Sequence, residues 1–105
     1  MQKSVEVNGG ICGFQTRIEA TCDDGQNVTF CITSGCEKVR KFADRLRPRE
    51  PVDAYAELGA GLDDSIIAAA TGCCCGCVVP AALLKAMQVS AGLALPCDAT
   101  IRFCA

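Results

Sequence analysis

The sequence predicts an α+β domain, an antiparallel β-sheet of three N-terminal strands plus a C-terminal strand packed against about four helices. Three observations carry this reading. Apolar and polar residues alternate with period two near both ends of the chain. Apolar residues recur at helical spacing through the middle, and turn or capping residues mark each change of regime. The chain has 105 residues with no internal repeat and no low-complexity linker, so residues 1–105 read as a single domain.

Val5 and Val7 alternate with polar neighbours until Asn8-Gly9-Gly10 breaks the first strand. From Phe14 to Cys22, Phe14, Ile18, Ala20 and Cys22 share one face, with Gln15, Arg17, Glu19 and Thr21 on the other. The loop Asp23-Asp24-Gly25-Gln26-Asn27 leads to Val28, Phe30 and Ile32, which alternate with Thr29, Cys31 and Thr33. Pairing Cys22 with Val28 sets Ala20 opposite Phe30 and Ile18 opposite Ile32. Every apolar residue then lies on one face, and a slip of one residue would mix the faces. The same register brings residue 12 alongside residue 38, so Cys12 and Cys36 belong at one end of the hairpin.

Ser34-Gly35-Cys36-Glu37 has capping-box form and predicts a helix with Cys36, Val39, Phe42, Ala43 and Leu46 along its buried stripe, ended by Pro48. Pro51 opens a second helix carrying Val52, Tyr55 and Leu58, closed by Gly59. Asp63-Asp64 cap a third, with Leu62, Ile66 and Ile67 inward and Gly72 as its stop. Pro80 suits the first turn of a fourth, whose core face is Leu83, Leu84 and Met87 and which Gly92 and Pro96 finish. Cys97 to Phe103 alternates again and reads as the closing strand.

Composition narrows the chemistry. There are ten cysteines, no histidine and no tryptophan, which excludes imidazole ligands, a histidine general base and a Cys₂His₂ zinc finger. The net charge of −2 offers no global basic field for nucleic acid or an anionic membrane. Cysteine this dense means a disulfide scaffold or a thiolate metal site. Met1 to Val7 lacks the apolar core of a signal peptide, and no apolar run reaches membrane-spanning length. Cys73, Cys74 and Cys75 are consecutive with Cys77 one residue beyond, a spacing poor for mutual bridging. The expectation is a reduced, cytoplasmic, thiol-rich protein, suited to an anaerobic setting.

Three segments form the expected site: Cys12 before a strand, Cys36 at one helix start, and Cys73, Cys74, Cys75 and Cys77 before another. Free N–H groups at a helix start favour a thiolate, the form that binds metal. Thiolates alone suit a soft site, an iron–sulfur cluster or zinc. Cys22, Cys31 and Cys97 read instead as small buried hydrophobes.

Cys12-Gly13 before a strand, an acidic glycine-containing turn, a second strand, Gly35-Cys36 opening a helix, and Cys77-Val78-Val79-Pro80 opening a late helix together resemble the U-type iron–sulfur assembly scaffold, the NifU/IscU N-terminal domain. The likeness spans roughly residues 5 to 92. It implies a transient cluster on Cys12, Cys36 and Cys77, with Gly13, Gly35 and Gly76 beside the ligands. It also implies exchange with acceptor or donor proteins of iron–sulfur metabolism, and leaves open a homodimer sharing one cluster. Where that family carries Asp after the first Cys-Gly this chain has Phe14, and where it carries His before the third Cys this chain has Gly76. With Cys73, Cys74 and Cys75 added, the pattern fits a tighter, all-cysteine cluster.

Six of the ten positive charges fall at Lys38, Arg40, Lys41, Arg45, Arg47 and Arg49, which read as a solvated helix face or a docking face for an acidic partner. Phe42 and Tyr55 alone are too few aromatics for RNA. Asp23-Asp24 and Asp63-Asp64 read as turn and capping residues rather than acid–base pairs. The alternatives to a cluster are a structural zinc domain for protein interaction and a thiol redox or sulfur-transfer protein.

Overall fold

The computed structural model describes residues 1–61 and 64–105. Its β-strands are β1 (Gln2–Asn8), β2 (Gln15–Cys22), β3 (Asn27–Ser34) and a two-residue β4 (Val52–Asp53). They form one antiparallel sheet in the order β1-β2-β3-β4, so each strand pairs with its neighbour in sequence. Three α-helices, α1 (Glu37–Leu46), α2 (Ala54–Gly59) and α3 (Val79–Ser90), complete an α+β fold, with a 3₁₀ helix at Ile66–Ala70.

The hairpin register is the one the apolar pattern demands: Cys22 pairs with Val28, Ala20 with Phe30 and Ile18 with Ile32. Ile18, Ala20, Cys22 and Val28 are buried, while Cys31 is exposed opposite Glu19 on the outer face. The turn is set by Asp24, whose Oδ1 accepts from Gln26 N at 2.9 Å and Asn27 N at 2.7 Å, and whose Oδ2 accepts from Asn27 Nδ2 at 2.8 Å. The Asn27 donors, then Gln26 N–H, hold its carboxyl far below the usual carboxylate range. Gly25 takes φ 73°, which the tight return requires.

The inner face of the sheet is covered by Val39, Phe42 and Leu46 of α1 and by Leu83, Ala86 and Met87 of α3, all buried in one core with Ile66 and Val79. Burying each large apolar side chain contributes about 1.5–3 kcal/mol. The outer face carries Arg17, paired with Glu6 at 3.4 Å and Glu19 at 3.2 Å. Among the described residues no helix is long and apolar enough to cross a membrane.

Four local expectations are corrected. Cys97 to Phe103 forms no strand and joins no sheet among the described residues. Alternation holds a strand only when one face has something to cover, and here Ile101 and Phe103 are 76% and 96% exposed. The tail lies across a cavity of about 700 Å³ from Ser4 to Val7 of β1. The fourth strand is instead β4, where Val52 pairs with Val28 and is buried. The second helix therefore begins at Ala54, with Asp53 Oδ1 accepting from Tyr55 N and Ala56 N, and Tyr55 and Leu58 face solvent. The third helix is 3₁₀ rather than α, and its N-cap is Ser65, whose Oγ accepts from Ile67 N at 3.2 Å. Glu57 holds that cap from α2, accepting from Ser65 Oγ at 2.8 Å and from Ile66 N. The expected cap at Asp63, and the inward Leu62, lie outside the described residues.

Candidate metal centre

Cys36 owes its place to the end of β3. Thr16 pairs with Ser34, and their hydroxyls meet at 2.8 Å. Ser34 Oγ also accepts from Cys36 N at 3.1 Å. This corrects the expected capping box: Ser34 belongs to the strand, α1 starts at Glu37, and Cys36 itself is the N-cap, in extended geometry. Its carbonyl accepts from Arg40 N at 3.0 Å, so its partly buried thiol stands at the positive end of the helix.

The other cysteines ride on the loop between the 3₁₀ helix and α3. Cys73 N donates to Ala70 O at 2.9 Å, and Cys77 N donates to Cys74 O at 2.9 Å, two successive tight turns. Cys73 Sγ lies 3.8 Å from Lys38 O, its acceptor on α1. Burial pushes the Cys73 thiol up; Cys77, Cys36 and Cys74 push the same way, and Arg45 opposes them. Cys36 thus joins the loop cysteines in one electrostatic neighbourhood. Cys36, Cys73 and Cys77 pack against the core, whereas Cys74 and Cys75 are exposed. All four loop cysteines line a concavity of about 430 Å³, with Ile67, Ala70 and Pro80 among its apolar walls.

Two basic residues of α1 serve this loop. Lys38 Nζ donates to Cys74 Sγ at 3.6 Å. Arg45 Nε donates to Ala69 O at 2.7 Å, and its Nη2 donates to Thr71 O, which ties the loop's entrance to α1. Lys41 and Arg47 pair with Glu37 and Asp44 on the same helix, and Arg40 donates to Ser34 O. Most of the basic run is therefore engaged within the molecule. The sequence reading missed the role of Lys38 and Arg45, although their spacing of seven puts both on one helix face.

Cys12 shares that end of the sheet, but its sulfur lies over Gly9, where any side chain would collide with it. Phe14 packs on Gly35, with its ring 3.3 Å from where a Cβ would stand. Gly13, at φ 72°, donates its N–H to Gly10 O, and Gly35 donates to Gln15 O. These two amides are spent on the fold rather than free to face a sulfur. Gly76 has neither a positive φ nor a close neighbour.

The ten cysteines are free thiols. Among the described residues no three Cys, Asp or Glu side chains are already gathered to hold a metal ion. The donor chemistry nonetheless suits a soft cation, because four cysteines line one concavity with Lys38 and Arg45 beside the loop that carries them. The loop thiols have to turn toward one another to share an ion. A family model described as a family of unknown function (DUF6951) matches residues 3–103. No curated protein and no solved structure matches the chain.

Proposed function

We propose that this chain, which belongs to the DUF6951 family, binds an iron–sulfur cluster through Cys36, Cys73, Cys74 and Cys77. The observation that supports this reading is the lining of one concavity by Cys73, Cys74, Cys75 and Cys77, on a loop that Lys38 and Arg45 of α1 hold, with Cys36 at the start of that helix close enough to act on Cys73. A soft, all-thiolate set flanked by two cations suits a cluster whose thiolate ligands leave it negatively charged. The bound group supplies either one-electron exchange or a cargo for acceptor proteins. In the scaffold or carrier role, the exposed Cys74 and Cys75 are the approachable side of the site, and donor and acceptor proteins would meet it there. A reducing cytoplasm is the setting such thiols require.

Anaerobic purification with an ultraviolet–visible spectrum, then iron, zinc and acid-labile sulfide analysis of one sample, tests the proposal. The expected result is a brown protein with matched iron and sulfide, lost in Cys36→Ser and Cys77→Ser and kept in Cys31→Ser. Cys12→Ser separates the ligand sets: loss of colour would enlist Cys12, and retention supports the four named here. Zinc without sulfide would replace the cluster by a structural zinc site. A sample that takes up neither metal after reconstitution with iron and sulfide would overturn metal binding.

A further inference from the structure

We propose that Cys74 and Cys77 are a redox-active dithiol in the metal-free protein, exchanging with small-molecule disulfides. The inference rests on the turn that joins the two cysteines and not on the metal reading, so each can fail without the other.

Cys74-Cys75-Gly76-Cys77 is a Cys-x-x-Cys segment closed by the bond from Cys77 N to Cys74 O at 2.9 Å. That bond makes it a β-turn, which brings the first and fourth Cα atoms within about 7 Å. A disulfide needs them about 4.4–6.8 Å apart, so the bridge asks for rotation of two side chains and little of the backbone. Gly76, with open space around it, lets the turn adjust. The other pairings are less ready: the Cys73 thiol is engaged with Lys38 O, and adjacent cysteines bridge only with strain.

The two thiols are also unequal. Cys74 is exposed, with the Lys38 ammonium 3.6 Å from its sulfur, whereas Cys77 is partly buried against the core ahead of α3. The exposed sulfur is the one a disulfide can reach, and the sheltered neighbour resolves the product. In the first step deprotonated Cys74 Sγ attacks one sulfur of R–S–S–R. A Cys74–S–R mixed disulfide forms and RS⁻ leaves. Cys77, its proton lost to solvent, then attacks Cys74 Sγ; the Cys74–Cys77 bond forms and the second RS⁻ leaves. The protein dithiol gives up two electrons and two protons, and the disulfide becomes two RSH. The reverse sequence reduces the protein, and in the oxidised form neither sulfur is free for a metal.

The test treats reduced, metal-free, full-length protein with oxidised glutathione in the absence of oxygen. Intact mass, thiol titration and fragment sequencing follow the product. The expected result is loss of two thiols, a mass two hydrogens lower, and a bond mapped to Cys74 and Cys77. Cys75→Ser should keep that product, while Cys74→Ser and Cys77→Ser should each stop at a mixed disulfide or remain unreacted. A bond mapped to another pair, or a product in which Cys74 and Cys77 both remain free thiols, would overturn the assignment. These outcomes need no metal and are unaffected by whether a cluster binds.

Discussion

Replacing Arg45 by methionine should loosen the cysteine loop before it unfolds the domain. Arg45 of α1 holds two carbonyls of the 3₁₀ helix and the turn after it, Ala69 O at 2.7 Å and Thr71 O. Hydrogen bonds from a charged donor contribute about 1.5–3 kcal/mol each when water is excluded. Arg45 is exposed, and both carbonyls can turn to solvent once it is gone, so the pair is worth about 1–2 kcal/mol in total. That loss falls on local opening, so the amides of Cys73 and Cys77 should exchange roughly 5–30 times faster. Native-state hydrogen exchange reads this directly, with the amides of β2 as the internal control. Methionine keeps most of the apolar stem, which isolates the guanidinium. Because Arg45 opposes the upward push that burial gives Cys73, the variant should also alkylate at Cys73 only at higher pH. Unchanged protection at Cys73 and Cys77, with faster exchange confined to α1, would refute the claim that Arg45 organises the loop.

Two further predictions concern the scaffold. Leu83→Ala removes a fully buried side chain of α3 and should destabilise by about 2–5 kcal/mol, measured by urea unfolding; a loss under 1 kcal/mol would mean that the sheet–helix core repacks freely. Burial raises the Glu50 carboxyl above its ordinary range, although Phe30 N–H at 3.2 Å and Arg47 pull it down. A raised carboxyl favours the folded state below its unfolded value and loses that contribution as pH rises through the folded one. Glu50→Gln keeps an acceptor for Phe30 without the charge, so it should raise the urea midpoint at pH 7 and lose that advantage below about pH 4. A variant weaker at pH 7 would show that the Phe30 bond outweighs burial.

The hairpin was legible to the residue because its inward positions form one apolar set that no other register keeps together. The helical stripe of Val39, Phe42 and Leu46 was legible for the same reason, as was the start of α3 at Pro80. What failed was everything decided by a partner distant in sequence. Ser34 looks like an N-cap until Thr16 claims its hydroxyl. Val52 looks helical until Val28 recruits it as a strand. The tail looks like a strand because alternation records faces and not edges. At the candidate site, the density of residues 73–77 singled out the loop, and the register set Cys12 and Cys36 at one end of the hairpin. The orientation of Cys12 over Gly9 and the reach of Lys38 and Arg45 depend on loop geometry that spacing does not encode.

The sheet is a meander, and that ordering bears on how the molecule is made. The pairings of β1 with β2 and of β2 with β3 close short loops and form early, whereas contacts across long stretches of chain wait for the entropy of closure to be repaid. The contact between Lys38 and Cys74 spans 36 residues, and α3 has to dock on β1 and β2 before the cysteine loop can settle there. The sheet and α1 precede Cys73 to Cys77 in the chain, and part of the sheet's inner face stays uncovered until α3, which follows them, docks. The most vulnerable moment for these thiols comes before the fold is complete, when no structure yet dictates which sulfur meets which. Completion of the fold does not end the hazard, since Cys74 and Cys75 stay exposed, so a reductant matters at the point of synthesis as well as around the finished molecule.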